Sequence, residues 1–466
     1  MTEITSKSLA SLTELVRSRE ASPVEVMQAY LDRITEINPK LNAIVTVAPD
    51  VIEKAREAEA AMSRGEMVGP LHGIPITVKD TIETKGLRTT SGSVLRAEFV
   101  PDRDAKAVER LKAAGAIILG KTNTAEMAMD YTTDNPVFGR AVNPNYPLLS
   151  TGGSSGGEAA AIASFMSPGG IGSDLAGSIR IPSHFCGIAG LKPTVGRVPG
   201  GGQFPPSIGP YSLGAAIGPM ARSVRDLRLL FDVLAGNGGA GYRGDTGVKG
   251  VTKLADLIRG RRIAWYTDDL VSPVTVETGD AVEAAAHTLV RAGLRVVQER
   301  PPGVEQGHDL WLKLFSRASV VLLRGEYAGQ EEKAGAFIRW RLASADNTPT
   351  VSLDEYIGSW LERDRVRQKL VRWMEDVPLI IAPVGATAAL PHDAHKVLVR
   401  GQTVSVFRAF SYAQTFNVFD LPVAVIPVGT SAEGLPIGVQ IIGRPFEEET
   451  VLAAAAVIEE TMSGTL

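Results

Sequence analysis

Short apolar runs alternate with helical patterns along most of this chain, and the alternation limits the folds that the chain can adopt. Residues 104–122, "DAKAVERLKAAGAIILGKT", predict a helix that ends at Gly115 and leads at once into an apolar strand. Further strand-like runs follow with helical sequence between them: "PGGIGSD", "RRIAWYTDD", "GLRVVQE", "PLIIAP" and "VAVIPVG". We therefore predict an α/β fold with a single large mixed β-sheet core, covered by helices on both faces.

Two helices and one loop are predicted outside these runs. Residues 22–37 begin with a cap-like serine and proline and place their apolar side chains on one helical face. A second amphipathic helix is predicted over residues 51–64. Residues 196–218 are too rich in glycine and proline for regular structure, which predicts a long ordered loop.

Composition excludes several classes of protein. The 466 residues carry a net charge of -4, and lysine and arginine are scattered without a basic block, so we expect neither a nucleic-acid surface nor an anionic-membrane surface. The single cysteine, Cys186, excludes an internal disulfide framework. The first 20 residues are charged where a signal peptide needs an apolar run, and no stretch holds about 18 uninterrupted apolar residues. These features predict a cytoplasmic protein.

One short motif imitates a nucleotide-binding loop. "GAIILGKT", residues 115–122, satisfies the P-loop pattern GxxxxGK[ST]. A P-loop needs its variable residues in a turn whose amides surround phosphate, whereas Ala-Ile-Ile-Leu favours a buried strand. Nucleotide binding is therefore not expected, and Lys121 is predicted to lie at a strand end.

A glycine-rich turn offers two adjacent serines. "TGGSSGG", residues 151–157, satisfies the GxSxG nucleophile-elbow pattern once for Ser154 and once for Ser155. An elbow follows a strand, but the preceding "NPNYPLLST" is a poor strand, and none of the downstream histidines lies in a stretch that singles it out. A Ser-His-Asp triad is thus disfavoured but remains open.

A third arrangement needs no histidine. Ser178 lies in a second glycine-flanked turn, "GSDLAGSIRIPS", and Lys79 ends a short apolar strand in "TVKD". A buried lysine can lose its proton near pH 7 and act as a base, and Ser154 could relay the proton from a nucleophilic serine. The ordinary alternative, a solvated lysine and serines that bond to their own turns, stays open at this point.

Six blocks of sequence together resemble the amidase signature family. In chain order they are "LHGIPITVKDTIETKGLRTTSGS", "GKTNTAEMA", "NPNYPLLSTGGSSGGEAAAIA", "GSDLAGSIRIPSHFCGIAGLKPTVGRVP", "GPMARSVRD" and "LPVAVIPVGTSAEGLPIGVQIIG". Six blocks in the family's order form a specific match, while residues 240–400 match far less well. The resemblance implies the amidase signature fold, with one amidase domain over residues 1–466.

The resemblance also implies how this domain is organised. Residues 1–64 would be N-terminal helices, and residues 65–235 would form the core that carries the catalytic motifs. Residues 240–400 would be a variable region that shapes the substrate site, and residues 405–466 would complete the core.

Roles carry over by position to individual residues. The resemblance implies a Ser-cisSer-Lys triad with Ser178 as nucleophile, Ser154 as the bridging serine after a cis peptide bond, and Lys79 as base. It implies an oxyanion hole formed by the backbone amides of Leu175, Ala176 and Gly177 together with that of Ser178. Ser155, Asp174 and Arg180 would support these groups. Where the family commonly has Gly-Gly before the nucleophile, this chain has Ala176-Gly177. The alanine restricts the backbone and adds a methyl beside the oxyanion position, which either narrows what fits there or is tolerated.

The expected function is amide hydrolysis through a serine acyl-enzyme, without metal or cofactor. The substrate would be a small molecule with an apolar or aryl group, bound by Met127, Met129, Tyr131, Phe204 and Tyr211, although these side chains could equally be core residues. Carbamates and esters are possible substrates because they lead to a comparable acyl-enzyme. A carbamate hydrolase and an A-type subunit of a tRNA-dependent amidotransferase remain alternatives. A homodimer is one assembly that the sequence allows.

Overall fold

A single mixed sheet runs through the computed structural model, which describes residues 3–236, 256–258, 260–346 and 351–463. The strands in these ranges are β1 Ile44–Val47, β2 Pro75–Lys79, β3 Ile117–Thr122, β4 Gly169–Asp174, β5 Ala189–Lys192, β6 Ala216–Ala221, β7 Ile263–Trp265, β8 Val296–Gln298, β9 Leu379–Pro383, β10 Lys396–Val399, β11 Gln402–Ser405, β12 Val423–Thr430 and β13 Pro436–Gly443. Eleven of these described strands form the large sheet, in the order β1-β3-β2-β4-β6-β5-β12-β13-β9-β7-β8, and β10 and β11 form a separate hairpin.

The sheet is mixed: parallel pairs lie near its two ends, antiparallel pairs lie between them, and the edge strand β1 is antiparallel to β3. Strand β2 is parallel to both β3 and β4, and β7 is parallel to both β8 and β9. From β4 through β6, β5, β12 and β13 to β9, neighbouring strands are antiparallel. The predicted large mixed sheet is confirmed.

Helices flank this sheet. Their bounds in the described ranges are Glu3–Ser6, Leu9–Ser18, Pro23–Leu41, Val51–Ser63, Lys106–Ala113, Gly156–Ala163, Arg180–Cys186, Val224–Ala235, Val276–Arg291, Gly307–Trp311, Arg317–Glu326, Ala336–Asp346, Leu353–Trp373, Val406–Ala409, Ser411–Val418 and Glu448–Met462. None of these helices is both long enough and apolar enough to cross a bilayer.

Alternate residues of one central strand face two separate apolar cores. In β12, Ala424 and Ile426 belong to one buried cluster, and Val423 and Val425 belong to the other. Successive side chains of a strand point to opposite faces of a sheet, so the two clusters lie on its two sides. The sheet is therefore covered on both faces, as the near-continuous apolar sequence of β12 predicts.

Local sequence explains where several elements begin and end. The helix predicted over residues 22–37 extends to Leu41, and a capping box at Ser22 and Glu25 starts it. The loop predicted over residues 196–218 is shorter than expected, because a 3₁₀ turn forms at Gly209–Leu213 and β6 begins at Ala216. Strand β3 continues to Thr122 and thus includes Lys121, which is buried.

The segment of weakest resemblance also contributes to the sheet. Residues 240–400 include β7, β8 and β9, which extend one end of the sheet beyond β13. Residues 240–255, 259 and 347–350 of this segment lie outside the described residues. The described strands of the segment are thus built into the same core as the motif-bearing strands.

Candidate active site

Lys79 closes β2 and is fully buried between two parallel neighbours. Its Nζ donates hydrogen bonds to Ser154 Oγ at 2.6 Å and to Ser173 Oγ at 3.0 Å. Burial lowers the pKa of Lys79 to about 7, against the opposing charges of Asp174 and Glu158. A neutral amine, which can accept a proton, is therefore accessible near neutral pH.

Ser154 is held in a buried turn that starts the helix Gly156–Ala163. The Gly153-Ser154 peptide bond is cis, as the resemblance implied. A side chain at position 153 would meet the carbonyl oxygen of Asp130 at 2.4 Å, so this turn requires glycine. Ser155 contacts the neighbouring strand rather than Lys79: its Oγ donates to the carbonyl of Ser173 at 3.3 Å.

Ser178 lies in the turn between β4 and the helix Arg180–Cys186, and its side chain lines the same pocket as Ser154 and Ser173. The amide of Ser155 donates to the carbonyl of Ser178 at 3.2 Å, which joins the two glycine-rich turns. Among the described residues, the Ser178 hydroxyl has no hydrogen-bond partner. It faces a pocket and is not committed to an internal contact.

A buried ion pair fixes the Ser178 turn. The Asp174 carboxylate accepts hydrogen bonds from the amides of Gly177 at 2.9 Å and Ile179 at 3.0 Å. Arg180 also donates to it, at 2.9 and 3.0 Å, and both side chains are fully buried. Burial alone would raise the pKa of Asp174, but Arg180 holds it well below its usual range.

The predicted oxyanion donors lie in this turn, with their carbonyl groups fixed by aromatic side chains. Tyr131 Oη donates to the carbonyl of Ala176 at 2.8 Å, and Trp311 Nε1 donates to that of Leu175 at 3.1 Å. The Gly177 amide already donates to Asp174, so one of the expected donors is engaged within the protein. Sequence reasoning missed both aromatic contacts. Tyr131 was predicted only as a pocket residue, and Trp311 comes from the poorly matching segment.

The five predicted pocket residues are brought together. Met127, Met129, Tyr131, Phe204 and Tyr211 line one cavity of about 100 Å³, whose floor includes Ser154, Ser173 and Ser178. Sequence reasoning missed further lining residues from the second half of the chain: Trp311, Phe315, Ser316, Ser319, Arg341 and Phe407. No sequence signal ties this second group to the glycine-rich turns.

Ser173 and Glu158 were also missed. Ser173 precedes Asp174 at the end of β4, and the parallel pairing of β2 with β4 brings it to Lys79. This contact could have been found from that pairing. Glu158 is buried and accepts from Thr122 Oγ1 at 2.8 Å and from Thr77, and burial raises its pKa to about 7.

The alternative motifs are not assembled into sites. Lys121 lies inside β3 and donates to Ile82, Thr84 and Thr89, so no phosphate-binding turn forms there. Within the described ranges, no histidine lines the pocket; His184 instead bonds to Thr387 and Gly438 in the core. No three His, Cys, Asp or Glu side chains in those ranges come together in a way that could hold a metal ion.

Comparison with known proteins gives consistent matches. The Amidase family model matches residues 25–452. Human fatty-acid amide hydrolase 2 is 32% identical over 97% of this chain and 88% of its own length. The A-type subunit of the glutamyl-tRNA(Gln) amidotransferase of Sulfurihydrogenibium sp. (strain YO3AOP1) is also 32% identical, over 97% and 96%. The crystal structure of a bacterial aryl acylamidase is 28% identical with a TM-score of 0.84, over 99% of this chain and 97% of that one.

These matches define first a class and then a family. With its mixed α/β sheet and its amide-hydrolysing relatives, the protein is an amidohydrolase that acts on amides. It belongs to the amidase signature family. The family and the fold predicted from the six sequence blocks are confirmed.

The ion pair beneath the Ser178 turn generates a first testable prediction. Replacing Asp174→Asn leaves the Arg180 charge buried without its partner, so the variant should lose about 3–5 kcal/mol of unfolding free energy. The control is Asp393→Asn, which removes an 85% exposed partner of Arg140 and should cost less than about 1 kcal/mol. Urea unfolding of both variants measures the difference. Equal losses would contradict a structural role for the Asp174 charge.

Proposed function

We propose that this amidase hydrolyses a linear carboxylic amide of a small molecule through an acyl-enzyme on Ser178, with Ser154 as proton relay and Lys79 as base. The observation that carries the proposal is the 2.6 Å contact between Lys79 Nζ and Ser154 Oγ, at the floor of a pocket that the Ser178 side chain also lines. A base, a relay and a nucleophile in one buried cluster are what acyl transfer from an unactivated amide requires.

The chemistry follows from these positions. Neutral Lys79 accepts the Ser154 proton while Ser154 accepts that of Ser178, whose oxygen attacks the amide carbonyl. Collapse of the tetrahedral intermediate breaks the C–N bond, and the same relay returns the proton to the leaving amine. Water then attacks the ester, with the relay again removing a proton, and releases the acid and the Ser178 hydroxyl.

Stabilisation of the developing oxyanion is assigned to the Ser178 turn. The donors are the amides of Leu175, Ala176, Gly177 and Ser178, of which Gly177 is shared with Asp174. The carbonyl contacts from Tyr131 and Trp311 support the proposal, because they restrain the peptide groups of the turn before substrate arrives.

The pocket favours an apolar or aryl group next to the scissile bond. Its wall holds a group of aromatic rings: the ring centre of Phe407 lies 6.1 Å from that of Trp311, in a stacked pair, and 4.9 Å from that of Tyr131, in a tilted pair. A cavity of about 100 Å³ suits a group near the size of one aromatic ring, since a 150 Å³ cavity binds benzene. Carbamates and esters would enter the same chemistry.

Removing the nucleophile tests the mechanism. Ser178→Ala should lower kcat by about 10⁴-fold or more on any amide that the enzyme cleaves, because no acyl-enzyme can form. Ser207→Ala, which removes a hydroxyl from the pocket wall, is the matched control and should change kcat by less than about tenfold. Covalent labelling by a fluorophosphonate, read by mass spectrometry, should disappear in Ser178→Ala alone. Retained amidase activity in that variant would contradict the assignment.

The lowered pKa of Lys79 predicts a pH dependence. Only the neutral amine can act as base, so kcat/KM should rise with pH through about 7 and then level off. The pKa of Glu158 is also raised to about 7, so the Glu158→Gln variant is used to distinguish the titration of Lys79 from that of Glu158. Because the Glu158 charge raises the pKa of Lys79, the rise should move to lower pH in that variant. A rise that vanishes in Glu158→Gln would assign it to the carboxylate instead.

The nature of the substrate is tested by a panel of p-nitroanilides, aryl carbamates and short aliphatic amides. The apolar pocket predicts that aryl or apolar acyl amides have the highest kcat/KM, by about tenfold or more over acetamide. A higher kcat/KM for the aryl carbamates would favour the carbamate hydrolase. Glutaminase activity that rises with tRNA and partner proteins would favour the amidotransferase subunit, to which the chain is also similar.

A further inference from the structure

One wall of the apolar pocket carries a group of unsatisfied donors. Arg341, on the helix Ala336–Asp346, lines the pocket together with Tyr211, Ser316 and Ser319. Among the described residues, its Nε is buried without a hydrogen-bond partner. The same is true of the hydroxyl of Tyr211, which lies beside Ser319 without making a hydrogen bond of good geometry. Buried polar groups are almost always paired in native proteins, so two orphans in one pocket call for an explanation.

Within the described ranges, the charge of Arg341 is also without a direct partner. All its hydrogen bonds in the described part of the chain run from Nη2 to neutral oxygens: the Ser316 carbonyl at 3.0 Å, Ser316 Oγ at 3.1 Å and Ser319 Oγ at 2.6 Å. These contacts hold one edge of the guanidinium and leave Nε–H free. A guanidinium stays protonated when buried, so the pocket contains a fixed positive charge.

The other charged groups near Arg341 do not neutralise it firmly. Asp130 also lines the pocket, but burial raises its pKa to about 7 and its Oδ1 already accepts the amide of Tyr131 at 2.7 Å. Arg317 lies close enough to act on Arg341 with the same sign of charge. The net charge of the groups on this wall therefore remains positive.

We propose that Arg341 and Tyr211 bind a carboxylate at the end of the substrate away from the scissile bond. This inference rests on the proposed function and narrows its substrate class to amides with an apolar body and an anionic end. The guanidinium matches a carboxylate in shape and charge, and the phenol adds a second donor. Ser316 and Ser319 are positioning residues, since they orient the guanidinium.

The arrangement also explains why an otherwise apolar pocket contains an arginine with a buried Nε. A neutral aryl substrate would cover Nε–H and the Tyr211 hydroxyl without pairing them, and each lost hydrogen bond would lower affinity. An anionic end would satisfy both groups at once. The pocket should therefore discriminate against neutral isosteres of a carboxylated substrate.

Two matched pairs of amides test this on either side of the scissile bond. The first pair is glutaric acid mono-4-nitroanilide and hexanoic acid 4-nitroanilide; the second is 4-acetamidobenzoate and 4-acetamidotoluene. In at least one pair, the carboxylated member should have a kcat/KM higher by about tenfold or more, mainly through KM. A neutral member that is cleaved equally well or better in both pairs would overturn the proposal.

Variants assign the preference to residues. Arg341→Gln should lower the ratio of carboxylated to neutral kcat/KM by about 10- to 100-fold, and the conservative Tyr211→Phe should lower it by about 2- to 10-fold. Arg339→Gln is the matched control, because Arg339 lies on the same helix but is exposed. The ratio should persist in this control. A ratio that survives Arg341→Gln contradicts the assignment.

Binding measured without turnover separates this proposal from the catalytic one. Dissociation constants of both pairs are measured by calorimetry on the Ser178→Ala variant, with and without Arg341→Gln. Tighter binding of a carboxylated member by about tenfold, lost with Arg341→Gln, supports carboxylate binding by Arg341. If the wild-type protein then cleaves neither member, only the proposed hydrolysis fails. Hydrolysis of both members together with equal binding contradicts carboxylate binding by Arg341 and supports the proposed hydrolysis.

Discussion

Lys79 lies at the end of an interior strand of the sheet with no exposure to water, and its surroundings determine what the neighbouring serines can do. Strands β3 and β4 flank β2 in parallel, so an ammonium group at this position loses hydration that nothing nearby fully replaces. Its contacts are the hydroxyls of Ser154 and Ser173, which can bond to the charged and the neutral amine alike. Hydroxyl partners therefore satisfy the hydrogen bonds of Lys79 without fixing its charge. A carboxylate partner would instead hold the amine in its protonated form.

The carboxylates near Lys79 are each held by other groups. Asp174 is committed to Arg180 and to two amides of the Ser178 turn, so its charge serves that turn. Glu158 is held by two threonine hydroxyls, and its own pKa is raised to about 7. Both charges favour protonated Lys79, yet burial outweighs them. The low pKa of Lys79 is thus a result of the whole sheet and of no single contact.

How much of this could be predicted from sequence depends on the range of the interaction. Alternating apolar runs gave the mixed sheet, and the six blocks gave the family, because both signals are local in the chain. The roles of Lys79, Ser154 and Ser178 came from the resemblance and remain predictions. The position of Ser154 and Ser178 on one pocket and the hydrogen bond from Lys79 to Ser154 support them. The contact between Ser173 and Lys79 was missed because it depends on the pairing of β2 with β4, which lie about ninety residues apart in sequence. Strand register of this kind is set by tertiary packing.

The pocket likewise combines residues that the sequence predicted with residues that it did not. Its floor comes from the end of β4, the turn that follows β4 and the glycine-rich turn before the helix Gly156–Ala163, whose sequences are specific. Trp311, Phe315 and Arg341 come instead from helices in the poorly matching segment. A floor built from glycine-rich turns tolerates little change, since a side chain at position 153 would collide with the Asp130 carbonyl. Helices that bury one face tolerate exchange of single pocket residues far better. The pocket therefore combines a floor from the motif-bearing segment with walls from both segments. The apolar side chains of Met127 and Phe204 could not reveal that Arg341, from another part of the chain, adds a positive charge to the same pocket.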